Sequence, residues 1–139
     1  MRYFSLQIEY KEGFKYQLVK TVIFQTSLRP PENIVTKFII LRADGMMTIM
    51  DGYAWDGATW AVDTKDIMSA SLFHDAAFQL FRMGLLNRMF FHEVSEEMRR
   101  IALEDGMNEF RANYIYDAVI SFGGIFTDPK QERPILTAP

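Results

Sequence analysis

The sequence predicts an α+β domain in which an antiparallel sheet of about four strands, made of two hairpins, is followed by three helices packed on it. Three observations predict it. Apolar residues alternate at a period of two only before residue 52, and the spacing then changes to a helical one. Glycines at 84, 106 and 123–124 punctuate the second half at helix-length intervals.

Phe4, Leu6, Ile8 and Tyr10 alternate and predict a first strand; Glu9 breaks the apolar stretch that a signal peptide would need. Alternation resumes at Phe14, Tyr16 and Leu18 and again at Val22 and Phe24, so Lys11-Glu12-Gly13 is expected to be the turn of a first hairpin. Pro30-Pro31 donate no ladder hydrogen bonds and make Ser27 to Asn33 a loop. The β-branched run Ile34 to Leu41 is expected to pair with Met46 to Met50 across a tight turn at Asp44-Gly45. Asp51 to Thr59 holds two glycines and no clean alternation, and is expected to be an irregular loop.

The first helix is expected over about Thr64 to Met83, with Asp63 as N-cap, Asp66 near the positive end of the dipole and Gly84 as a left-handed stop. Asn87 and Gly106 bound the second helix, Asn108 and Gly123-Gly124 the third. Residues 1–126 thus form one domain. Thr127 to Pro139 carries three prolines and four charges, and is expected to be an extended tail.

Composition bounds the function. The chain has 139 residues, 49% of them apolar, which excludes a disordered protein. Fifteen Lys and Arg against 18 Asp and Glu disfavour binding to nucleic acid. The absence of cysteine removes thiol chemistry and Cys-type zinc sites. Nowhere do about eighteen apolar residues run without a charge, so no membrane insertion is expected. There is no phosphate-binding glycine loop, nucleophile elbow or metalloprotease motif, since Glu96 stands where the last of these needs a second histidine.

The first helix is apolar on nearly every side, and against that background Ser71, His74, Asp75, Gln79 and Arg82 trace one polar strip. Groups buried in such a strip need partners. Two accounts supply them. In one, His74 and Asp75 fix the preceding loop against the helix. In the other, Asp56, His74 and Asp75 are catalytic acid and base groups or ligands of a divalent metal ion, which lowers the pKa of bound water. His92 and Glu96, with Ser95 between them, form an i to i+4 set that would assist or ligate. Glu93, Glu97, Arg99, Arg100 and Glu104 around them have the pattern of a solvated face. On the third helix Phe110, Tyr114, Ile115, Ala118, Val119 and Phe122 are expected to be core, and the methionines, Met46, Met47 and Met50 among them, to fill gaps there.

Gly52-Tyr53-Ala54-Trp55-Asp56-Gly57-Ala58-Thr59, followed by Ser71-Leu72-Phe73-His74-Asp75, resembles the loop and helix of a family found mainly in phages and prophages, domain-of-unknown-function family 1353. Tyr116 to Gly123 is similar to that family's closing helix. The chain departs from the family at Trp60, where a proline is common, and near Ser95 or Glu96, where an Asp is common. The resemblance implies a phage or prophage origin, with the host cytoplasm or the virion as setting, and carries over Asp56, His74 and Asp75. Two readings follow. One is a small hydrolase-like, metal-binding protein. The other is a noncatalytic virion or tail-module protein that contacts other phage proteins or copies of itself through hairpin edges, the loop aromatics Tyr53, Trp55 and Trp60, and its tail. An inhibitor of a host defence factor is a further alternative, with a pocket lined by those aromatics.

Overall fold

The computed structural model describes residues 10–11, 16–55, 57 and 64–122. Their architecture is α+β, with antiparallel strands first and helices after. They fall into two compact units divided between residues 56 and 57.

The first unit holds seven strands in two sheets, where the sequence predicts about four in one. β1 (Tyr10–Lys11) pairs with β2 (Tyr16–Leu18) in the register Tyr10↔Leu18, Lys11↔Gln17, so Lys11 is a strand residue and not part of the turn. β2 also pairs with β7 (Ala54–Trp55), which lies inside the expected irregular loop. Backbone bonds from Leu18 N–H to the Tyr53 carbonyl and from Gly52 N–H to the Leu18 carbonyl extend this join. The chain bends at Val19-Lys20 and enters a different sheet.

That second sheet has the order β3-β6-β5-β4, from β3 (Val22–Gln25), β4 (Ile34–Val35), β5 (Ile39–Leu41) and β6 (Met46–Ile49). Its register sets Val22, Ile49 and Ile39 in one row and Phe24, Met47 and Leu41 in the next, all six buried. A period of two alone puts these residues on one face. Of the methionines expected to fill gaps in the core, Met47 is fully buried, whereas Met46 and Met50 are half-buried and Met83 and Met89 are exposed.

The run Ile34 to Leu41 is not one strand. It folds on itself at Thr36, whose hydroxyl donates to the Ile39 carbonyl and accepts from the Ile39 N–H, both at 2.9 Å. The expected Asp44-Gly45 turn joins β5 to β6. Gly45 adopts φ +91°, and a Cβ there would lie 2.7 Å from the Leu28 carbonyl oxygen, so the turn needs glycine for conformation and for space. Thr26 accounts for the close approach, since its N–H and hydroxyl both donate to the Gly45 carbonyl.

The second unit is helical. A 3₁₀ turn (Lys65–Ile67) leads into α1 (Met68–Arg82), which stops at Gly84 with φ +72°. Asn87 accepts from the Met89 N–H at 2.8 Å and opens a 3₁₀ turn (Arg88–Phe90) followed by α2 (Phe91–Glu104). Gly106 takes φ +98° beyond its end. Asn108 accepts from the Arg111 N–H at 2.8 Å and caps α3 (Glu109–Phe122). These caps and stops are those the sequence marks. Asp66 does more than face the helix dipole: Arg111 of α3 donates to its carboxylate at 3.1 Å and to the Thr64 hydroxyl at 2.7 Å. The strand expected before Tyr10, the cap at Asp63, the Gly123-Gly124 stop and the tail lie outside the described residues.

α1 is the centre of this unit. Every residue from Met68 to Arg82 is buried except Asp75, which is half-buried. On α2 the inner face is Val94, Met98, Ile101 and Ala102; on α3 it is Ala112, Ile115 and Val119. No described helix is long and apolar enough to cross a membrane.

Candidate functional site

The polar strip of α1 is buried more deeply than its composition requires. Ser71, His74, Gln79 and Arg82 are each 6% exposed or less. Ser71 turns its hydroxyl back to the Met68 carbonyl at 3.0 Å, one turn earlier on its own helix. Arg82 donates through Nη2 to Gln79 Oε1 at 3.0 Å. These are bonds within the helix. Each satisfies a polar atom that the helix has taken into the interior.

His74 lies against Phe78, with ring centroids 3.9 Å apart and planes tilted by 35°. Phe78 in turn meets Phe81 edge-on at 5.5 Å and Phe91 of α2 at 5.7 Å. The imidazole therefore belongs to an aromatic cluster that spans α1 and α2. Burial opposes its protonation, and the guanidinium of Arg82 adds to that, so its pKa falls from the usual 6.5 to about 3. His74 is neutral throughout the physiological range.

Asp56, the third member expected from the loop, lies outside the described residues, as do Ala58, Thr59 and Trp60. Asp75 is half-buried. On α2, His92 is exposed and stands edge-on to Phe91 at 5.5 Å, and Glu96 is exposed. Ser95 is fully buried and donates to the Phe91 carbonyl at 3.0 Å. Among the described residues, no three His, Asp or Glu side chains come together as a metal site.

Three expectations about exposure are corrected. Tyr53 and Trp55 are 3% and 1% exposed, because β7 pairs with β2 and sets Trp55 beside Tyr16, with centroids 5.4 Å apart. They offer no exposed aromatic surface. Phe110 and Tyr114, expected in the core, are 84% and 65% exposed. The solvated face of α2 also has one buried member: Glu97 accepts from Arg100 Nε at 2.6 Å, and Glu104 accepts from Arg100 Nη1 at 3.0 Å.

A groove of about 680 Å³ lies between α2 and α3, lined among others by Glu96, Arg99, Asn113, Tyr116 and Asp117. Arg99 Nε donates across it to Asn113 Oδ1 at 2.5 Å. Partial burial, followed by the carboxylates of Glu96 and Asp117, raises the pKa of the Tyr116 phenol and keeps it protonated. Sequence reasoning missed this groove. Its only signal there was the run of opposite charges at helical spacing on α2, which does not tell which helix lies beside it.

No family model matches the chain, and no curated protein or solved structure is significantly similar to it.

Proposed function

We propose that this chain is a noncatalytic module that acts through contacts with other proteins, and that the polar strip of α1 is a structural lock within it. The observation that carries this reading is the setting of His74, buried and neutral against Phe78 in the cluster that ties α1 to α2. A general base has to exchange a proton near the working pH, and burial beside Arg82 holds this imidazole neutral well below it, which supports the structural reading. The phage or prophage setting, with a role in the virion, the tail or its assembly, is part of the proposal. It rests on the likeness of the 52–59 loop and the Ser71 to Asp75 stretch to the phage-associated family.

The competing account is the hydrolase-like one, with Asp56, His74 and Asp75 around a divalent ion. Elemental analysis of protein purified without chelator separates the two. The expected result is no stoichiometric metal, together with a His74→Ala variant that folds but is less stable by about 1–3 kcal/mol, from the cavity and the exposed Phe78 ring. Stoichiometric metal that is lost in His74→Ala at unchanged stability would establish the hydrolase-like site instead.

A further inference from the structure

We infer that the outward face of α3 is a docking surface for a basic, amphipathic segment of another protein. The inference rests on the proposed function and names the surface through which it would act.

Phe110, Asn113, Tyr114, Asp117 and Ser121 are all exposed and stand at i, i+3, i+4, i+7 and i+11, a single strip along the helix. Ala112, Ile115 and Val119 occupy the opposite, buried face. Two aromatic rings on successive turns are thus held outside although the helix has already buried its inner face. Large aromatic side chains at such positions are typical anchors of protein interfaces.

Charge selects the occupant. Glu109 and Asp117 bracket the two rings, and Glu96 of α2 lies across the adjoining groove. Among the described residues none of these three carboxylates is in an ion pair. Two neighbouring cations are paired with carboxylates, Arg111 with Asp66 and Arg100 with Glu97 and Glu104, while Arg99 donates to the neutral amide of Asn113 and keeps its charge beside the groove. Glu96, Glu109 and Asp117 against the one guanidinium of Arg99 leave the described residues around the strip net negative, which suits a segment with apolar anchors flanked by Lys or Arg. A second copy of the same face fits less well, because an antiparallel pairing centred on Asn113 would bring Glu109 against Asp117 of the other copy. Anionic membranes and nucleic acid are repelled by the same charges.

Two synthetic amphipathic peptides with identical leucine spacing, one with lysine and one with glutamate at the polar positions, test this by fluorescence anisotropy on the full chain. The lysine peptide is expected to bind, and binding should weaken as salt is raised. The double variant Phe110→Ser, Tyr114→Ser should lose roughly tenfold or more in affinity at unchanged stability, since both rings are exposed. Glu109→Lys with Asp117→Lys should reverse the preference between the peptides. The inference is overturned by equal binding of the two peptides, by no binding of the lysine peptide, or by binding that ignores the aromatic pair. A dimer, or adsorption to neutral lipid vesicles, that is abolished by the aromatic substitutions would also overturn it. None of these variants touches His74, so failure here is distinct from finding a metal site on α1.

Discussion

Stability to urea is expected to fall steeply as the pH drops below about 6, and the steepest part of that fall is expected to disappear in His74→Gln. The cause is the proton that the folded protein refuses. His74 titrates near 6.5 in the unfolded chain and near 3 in the folded one, so between those values only the unfolded state binds the proton. The folded pKa is lowered by burial, so the contribution is fully present above about 6.5 and is lost progressively as pH falls towards 3. A slope of up to about 1.4 kcal/mol per pH unit follows from one such group. Urea midpoints at about pH 7.5, 5.5 and 4.5 measure it. Carboxylates add their own acid dependence, and the difference between the parent chain and His74→Gln isolates the imidazole. Equal slopes in the two proteins would contradict the account.

Phe78→Ala is expected to cost about 3–5 kcal/mol. The Phe78 side chain is 1% exposed and meets the rings of His74, Phe81 and Phe91, so its removal deletes an aromatic contact between α1 and α2 and leaves a cavity beside it. Interiors packed at crystal-like density collapse only partly around such a gap. Phe78→Leu keeps most of the volume and should cost clearly less. A second consequence links the two predictions. Water admitted beside His74 relieves its desolvation, so its pKa should move back towards 6.5 and the acid slope should become shallower in Phe78→Ala. Urea unfolding at two pH values gives both results, and a loss below about 1 kcal/mol would show that this cluster does not hold the helices together.

The fold was legible in the sequence wherever one residue type has a unique local consequence. Asn87, Gly84, Gly106 and Asn108 bound helices because a short side chain caps an N-terminus and only glycine ends a helix at positive φ without strain. Asp44-Gly45 marks its hairpin for the same reason. Patterns that several structures satisfy equally were not legible. Eight residues rich in β-branched side chains are compatible with one long strand or with two short ones around Thr36, and the Thr36 hydroxyl decides for the hairpin. Trp55 is in a strand because β2 leaves an edge to pair with, which is a property of distant residues.

The candidate site was legible in part. The strip on α1 is where the helical spacing puts it, and its burial follows from the apolar residues on every other side. Spacing cannot tell whether a buried histidine meets a substrate or a phenyl ring, since both demand the same interior position. On α3 the apolar residues cover about half the circumference, wider than the face that α2 occupies, and Phe110 stands nearly opposite Ala112, Ile115 and Val119. A count of apolar residues assigned the whole band to the core. The helix contacts divide it into an inner face and an outer one.

The most direct test of the lock is the titration of the His74 imidazole itself, followed by NMR in a His92→Asn background so that one histidine signal remains. The account predicts a neutral ring whose signals stay unchanged from about pH 8 to about pH 4.5 and do not respond to added zinc or manganese. A ring that titrates near its ordinary value, or whose signals shift or broaden saturably with either metal, would show that His74 is open to solvent or ligand and would contradict the account.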